Sequence, residues 1–98
     1  GEGAAPPLVL WAITEEIRAL GRVVAALGAG VPLQQALRDA RIWGPRQKLI
    51  EAYAHRYTNP QIEAALLHAA RIDRVIKGIA KGDVWDELLH LALRFARL

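Results

Sequence analysis

The 98-residue chain is predicted to be all-α, a single bundle of about five helices. Three observations carry this. Apolar residues recur every three or four positions through most of the chain, which is the spacing of one helix face. No segment alternates apolar and polar residues with the β-branched enrichment that a half-buried strand needs. Gly and Pro breaks cut the periodic stretches into pieces joined by short connections, so that neighbours can pack antiparallel. A chain of this length that is 53% hydrophobic and 23% charged closes one core rather than two.

The opening GEGAAPP, residues 1–7, has no periodic apolar face and reads as a linker leader, with the helical domain over 8–98. Pro7 suits a first helical position, since its missing N–H has no partner to lose there. From it Leu10, Ile13, Ile17, Leu20, Val24 and Leu27 form one stripe on a long helix that ends at Gly28 to Gly30. VPLQQALRDA gives a short second helix, with Pro32 near its first turn and Leu33, Ala36, Leu37 and Ala40 facing inward. It is expected to stop before Trp43, because Gly44 and Pro45 cannot continue a helix comfortably. A third helix is expected from Pro45 toward Arg56, with Leu49, Ile50, Tyr53 and Tyr57 at helical spacing.

Thr58 to Gln61 then fits a capping box, in which the Thr hydroxyl takes the third backbone N–H and Gln reaches back to the cap. The fourth helix carries Ile62, Leu66, Ala69, Ile72, Ile76 and Ile79 on one face and ends between Gly78 and Gly82, with Lys77 and Lys81 beside the negative end of its dipole. Asp83 caps a fifth helix with Asp86 and Glu87 in its first turn and Arg94 and Arg97 in its last.

The chain has no cysteine, which removes disulfides, thiolate-held zinc and thiol catalysis and fits an intracellular, cytoplasmic location better than a secreted one. The apolar run Leu8 to Ile13 is far short of the roughly 20 residues of a membrane span, so no membrane partner is expected. The net charge of +3 permits an acidic partner without demanding one.

Catalytic groups are scarce. The three histidines, His55, His68 and His90, fall on different predicted helices without ligand spacing, and are read as surface or interface residues. There is no serine, so a hydrolase triad lacks a nucleophile. Glu15-Glu16 and Asp86-Glu87 are adjacent carboxylates, which point about 100° apart on a helix and cannot bracket one bond. No catalytic residue, metal ligand or cofactor is expected.

What remains is basic and aromatic. Arg71, Arg74 and Lys77 step along one side of the fourth helix, with Asp73 placed to pair with Lys77, and Arg41, Arg46 and Lys48 surround Trp43 in RIWGPRQK. Such sites serve nucleic-acid binding, protein docking, or simple solvation. Trp43 and Trp85, at helix boundaries, are read as core plugs with a structural role alongside Thr58 and Asp83. Trp11 lies beside the first stripe, in line with Arg18 and Arg22, at the edge of a second contact face.

Four blocks in order, LWAITEEIR at Leu10, RIWGPRQ at Arg41, ARIDRVIKG at Ala70 and DVWDELLHLAL at Asp83, make the chain resemble the C-terminal domain of the bacterial DNA polymerase III delta subunit. That resemblance implies a helical, non-catalytic module that joins the equivalent domains of the gamma or tau and delta prime subunits in the collar of the sliding-clamp loader. The parent would be a subunit of a nucleotidyltransferase holoenzyme. Clamp opening would belong to an N-terminal module outside this chain, and DNA contact would be indirect. The candidate subunit interface is Trp11, Arg18, Arg22, Arg46, Arg71, Asp73, Arg74 and Lys77. A small helical nucleic-acid-binding module is the alternative.

Overall fold

The computed structural model describes residues 5–96 and contains five helices: α1 (Pro6–Gly28), α2 (Leu33–Asp39), α3 (Arg46–Ala54), α4 (Asn59–Ile76) and α5 (Val84–Ala96). Among the described residues there is no strand. α1 begins one residue before the expected proline. Ala5 is its extended N-cap and Pro6 and Pro7 form the first turn, where neither proline costs a helical hydrogen bond. Residues 1–4 of the leader, and Arg97, lie outside the described residues.

α1 packs against each of the other four helices. Its stripe of Leu10, Ile17, Leu20 and Val24 is buried, with Ile13 and Leu27 half-buried beside it. α4 meets this stripe with Ile62, Ala65, Ala69 and Ile72. Gly21 of α1 lies against Ile62 of α4. A Cβ there would stand 3.0 Å from Ile62 Cγ2, so the glycine lets the two helices meet at that level. α5 closes the remaining side with Leu88 and Leu91, while Tyr53, Tyr57 and Phe95 form an aromatic cluster with ring centroids 5.1 to 6.4 Å apart.

The capping signals hold. Thr58 Oγ1 accepts from the Gln61 N–H at 3.4 Å, and the Thr58 N–H donates to Gln61 Oε1 at 2.8 Å. Asp83 Oδ1 accepts from the Asp86 N–H at 2.9 Å. α1 ends in a six-residue turn in which Gly30, at φ 86°, lets the Val31 N–H reach the Ala26 carbonyl at 3.0 Å.

α2 ends ahead of Trp43, as expected. It closes at Ala40 in the same kind of turn as α1, with Arg41 at φ 58° in the position glycine usually takes. The following N–H, that of Ile42, donates to the Leu37 carbonyl at 2.9 Å, and the Ile42 side chain is fully buried. This corrects the reading of Trp43. Two successive non-helical residues face opposite ways, so once Ile42 enters the core Trp43 is left 66% exposed.

Two other apolar residues are also displaced from the expected core. Trp85 is 43% exposed, because it stands about 100° around α5 from the core-facing line of half-buried Val84 and buried Leu88 and Leu91. Ile79 is 74% exposed: α4 ends at Ile76, and a left-handed turn at Gly78 carries Ile79 off the helical face.

Candidate functional site

The structure divides the candidate interface residues among three surfaces. Trp11 and Arg18 of α1 and Asp73 of α4 line one groove between those helices, over Leu66 and Ala69, so the candidate faces of α1 and α4 join here. Trp11 is exposed, Arg18 pairs with Glu15 at 3.0 Å, and Asp73 pairs with Lys77 at 2.7 Å as its spacing predicts. Arg22 lies one turn beyond Arg18, exposed. Arg46 is elsewhere. From the first turn of α3 it reaches Glu16 of α1, with Nη2 2.9 Å from one carboxylate oxygen and 3.0 Å from the other. Arg41 and Lys48 stay exposed around Trp43 as a basic rim.

The Glu16–Arg46 pair stands at the edge of the second surface, an apolar groove of about 360 Å³ between α1, α3 and α5. Ile17, Leu20 and Ile50 lie deepest, with Ala12, Leu49, Ala92 and Phe95 among the lining residues. Leu49 is exposed, and α5 extends the apolar surface beyond the groove. At 100° per residue Ala92, Trp85, Ala96 and Leu89 occupy one arc of α5, next to the line that faces the core. All four are exposed. The apolar arc of α5 is therefore more than twice as wide as the part the bundle covers.

The third surface is polar and lies where α4 meets α5. Glu87 is its centre, with Oε1 3.3 Å from Arg71 Nε and Oε2 3.5 Å from His90 Nδ1 and 3.8 Å from His68 Nε2. Arg94 Nε donates to His68 Nδ1 at 3.0 Å, and the Arg94 carbonyl accepts the Tyr57 hydroxyl at 3.0 Å. Burial, then the nearby Arg94 guanidinium, lowers the His68 pKa despite the opposing pull of Glu87. His68 is thus neutral at pH 7, with the Arg94 bond fixing its hydrogen on Nε2, toward Glu87. Desolvation works to raise the Glu87 carboxyl, but the hydrogen bond from His90, the charge His68 takes on when protonated at acid pH, and the hydrogen bond and charge of Arg71 hold it below its ordinary value. Arg74 is exposed beside this cluster with no ion-pair partner among the described residues.

Sequence reasoning placed Arg71 and Arg74 here but missed His68, Glu87 and Arg94 as partners. The only sequence sign was that positions 68, 71, 87, 90 and 94 each fall on the polar side of their helix. Two of the three histidines meet, while His55 caps α3 in solvent. Among the described residues no group of three or more His, Asp or Glu side chains is placed to hold a metal ion, and no helix is long and apolar enough to cross a membrane. Comparison with protein-family models, curated proteins and solved structures finds no match to this chain.

Proposed function

We propose that the chain is a non-catalytic subunit-packing domain, the collar module of a clamp-loader delta subunit, which joins the C-terminal domains of gamma or tau and delta prime. The observation that carries the packing role is the apolar groove between α1, α3 and α5, continuous with the exposed Trp85, Leu89, Ala92 and Ala96 of α5. A contiguous uncovered apolar face of this kind marks an interaction site, and a groove with one ion pair at its edge suits the apolar side of a partner helix. The choice of partner rests on the four sequence blocks. The nucleic-acid alternative wants unpaired cations on one face; Arg18, Arg46, Arg71 and Lys77 each meet a carboxylate, which leaves that reading Arg74 and Arg94 in the α4–α5 cleft.

The test is co-elution. Mixed with the C-terminal domains of gamma and delta prime, the chain is expected to form a complex on gel filtration, which Leu89→Glu disrupts. A parent chain that elutes alone from both would sink the collar assignment.

A further inference from the structure

The cleft between α4 and α5 holds two arginines fixed in an uncommon way. Arg71 and Arg94 each spend the inner nitrogen, Nε, on a neighbour within the bundle: Arg71 on Glu87 Oε1 at 3.3 Å, Arg94 on His68 Nδ1 at 3.0 Å. The terminal nitrogens of both make no hydrogen bond to another described residue, and neither does the guanidinium of Arg74. All three line one cleft of about 530 Å³ with the exposed Leu67. Two guanidinium forks are therefore oriented in advance while their outer edges stay open, which reduces the ordering cost of taking a ligand.

We infer that this cleft is a phosphate-binding site, in which Arg71 and Arg94 each present their outer nitrogens to the anion and Arg74 closes over it. Glu87 does not oppose this, because its two oxygens are already turned to Arg71 and to the two histidines. Three guanidinium charges against one carboxylate leave a surplus of two, which matches a phosphate dianion better than a single carboxylate. A phosphate also offers three or more acceptor oxygens to three donors. Leu67 beside them gives an apolar contact for the organic group of a phosphate ester. The inference is independent of the subunit-packing role, which uses the opposite side of α5.

Inorganic phosphate is titrated into the nitrogen-15-labelled chain at constant ionic strength, and the side-chain Nε–H signals of Arg71 and Arg94 are followed. Saturable shifts confined to these arginines, Arg74 and His68 are expected. Arg71→Gln or Arg94→Gln should weaken binding about tenfold or more, as loss of a charge-assisted hydrogen bond does, and Lys48→Gln should leave it unchanged. Arg71 and Arg94 also tie α4 to α5, so Arg74→Gln, which breaks no contact, keeps the test decisive if those variants unfold. A parallel titration with single-stranded oligothymidine separates the sources of phosphate. If it saturates the same signals at concentrations about tenfold lower or less, the phosphate belongs to a nucleic-acid backbone; if it does not, to a free phosphate or monoester. Shifts that rise linearly with phosphate, or that are equal in Arg74→Gln and the parent, would overturn the site.

Discussion

Ile42 and Leu37 close the corner between α2 and α3 together: the Ile42 N–H donates to the Leu37 carbonyl at 2.9 Å, and both side chains are fully buried. The neighbouring tryptophan, larger and more conspicuous in the sequence, is outside. Ile42→Ala should therefore cost about 2–5 kcal/mol of unfolding free energy. Trp43→Ala should change it by about 0.5 kcal/mol or less. Urea denaturation of the two variants checks this, and an inverted order would return Trp43 to the core.

Arg41 holds the left-handed conformation at φ 58° that closes the same corner. A side chain there costs roughly 1–2 kcal/mol, partly offset by the greater freedom that glycine has in the unfolded chain. Arg41→Gly is expected to stabilise the fold by up to about 1 kcal/mol, and Arg41→Val to destabilise it, since a β-branched residue fits that conformation worst. Paired melting temperatures decide the matter. A drop for the glycine variant would mean that Arg41 contributes more through its contacts than its backbone costs.

His68 makes stability depend on pH. Above its ordinary value near 6.5, folded and unfolded chains both carry it neutral and it adds no difference. As pH falls through that value the unfolded chain takes up a proton that the folded chain still refuses, so stability decreases until the lowered folded value is passed. The groups facing it are Glu87, His90 and Arg94 on α5 and Arg71 on its own helix. The melting temperature should fall between about pH 7.5 and 5.5, and His68→Gln should flatten that fall. Equal slopes for parent and variant would assign the effect to other groups.

The proposed packing role can be assigned to either of two faces, and single substitutions separate them. Burying an exposed leucine at an interface contributes about 1.5–3 kcal/mol, whereas an exposed ion pair contributes about 0–1. Leu89→Glu and Leu49→Glu should each leave the free chain's stability within about 0.5 kcal/mol yet weaken assembly with gamma and delta prime far more than Arg74→Glu. Sedimentation or gel filtration of the mixtures measures this. A larger loss from Arg74→Glu would place the interface on α4.

Most of the fold was legible because it is local. The spacing of Leu10, Ile17, Leu20 and Val24, the Thr58–Gln61 box and the Asp83 cap each depend on residues within a turn or two of one another. What misled was the assumption that a large aromatic next to a break must turn inward. Trp43 and Trp85 both sit at helix boundaries, but backbone direction at Arg41 and the wheel position on α5 decide where they point. Those depend on a backbone dihedral and on which helix packs where. The Glu87 cluster stayed hidden for a similar reason: Arg71 and Glu87 are 16 residues apart in the chain, and only the α4–α5 contact brings them to 3.3 Å.

That α1 touches every other helix has a kinetic consequence. α2 and α3 can dock on it soon after they form, but its longest buried stripe stays open to water until α4 arrives across the whole segment from Ala29 to Thr58. Closure of that loop, seating Ile62 against Gly21, is therefore expected to be the costly step. Contacts of Ile62 and Ile72 with α1 should already be formed at the barrier, while α5, added last in the chain, gathers on a surface that is by then complete.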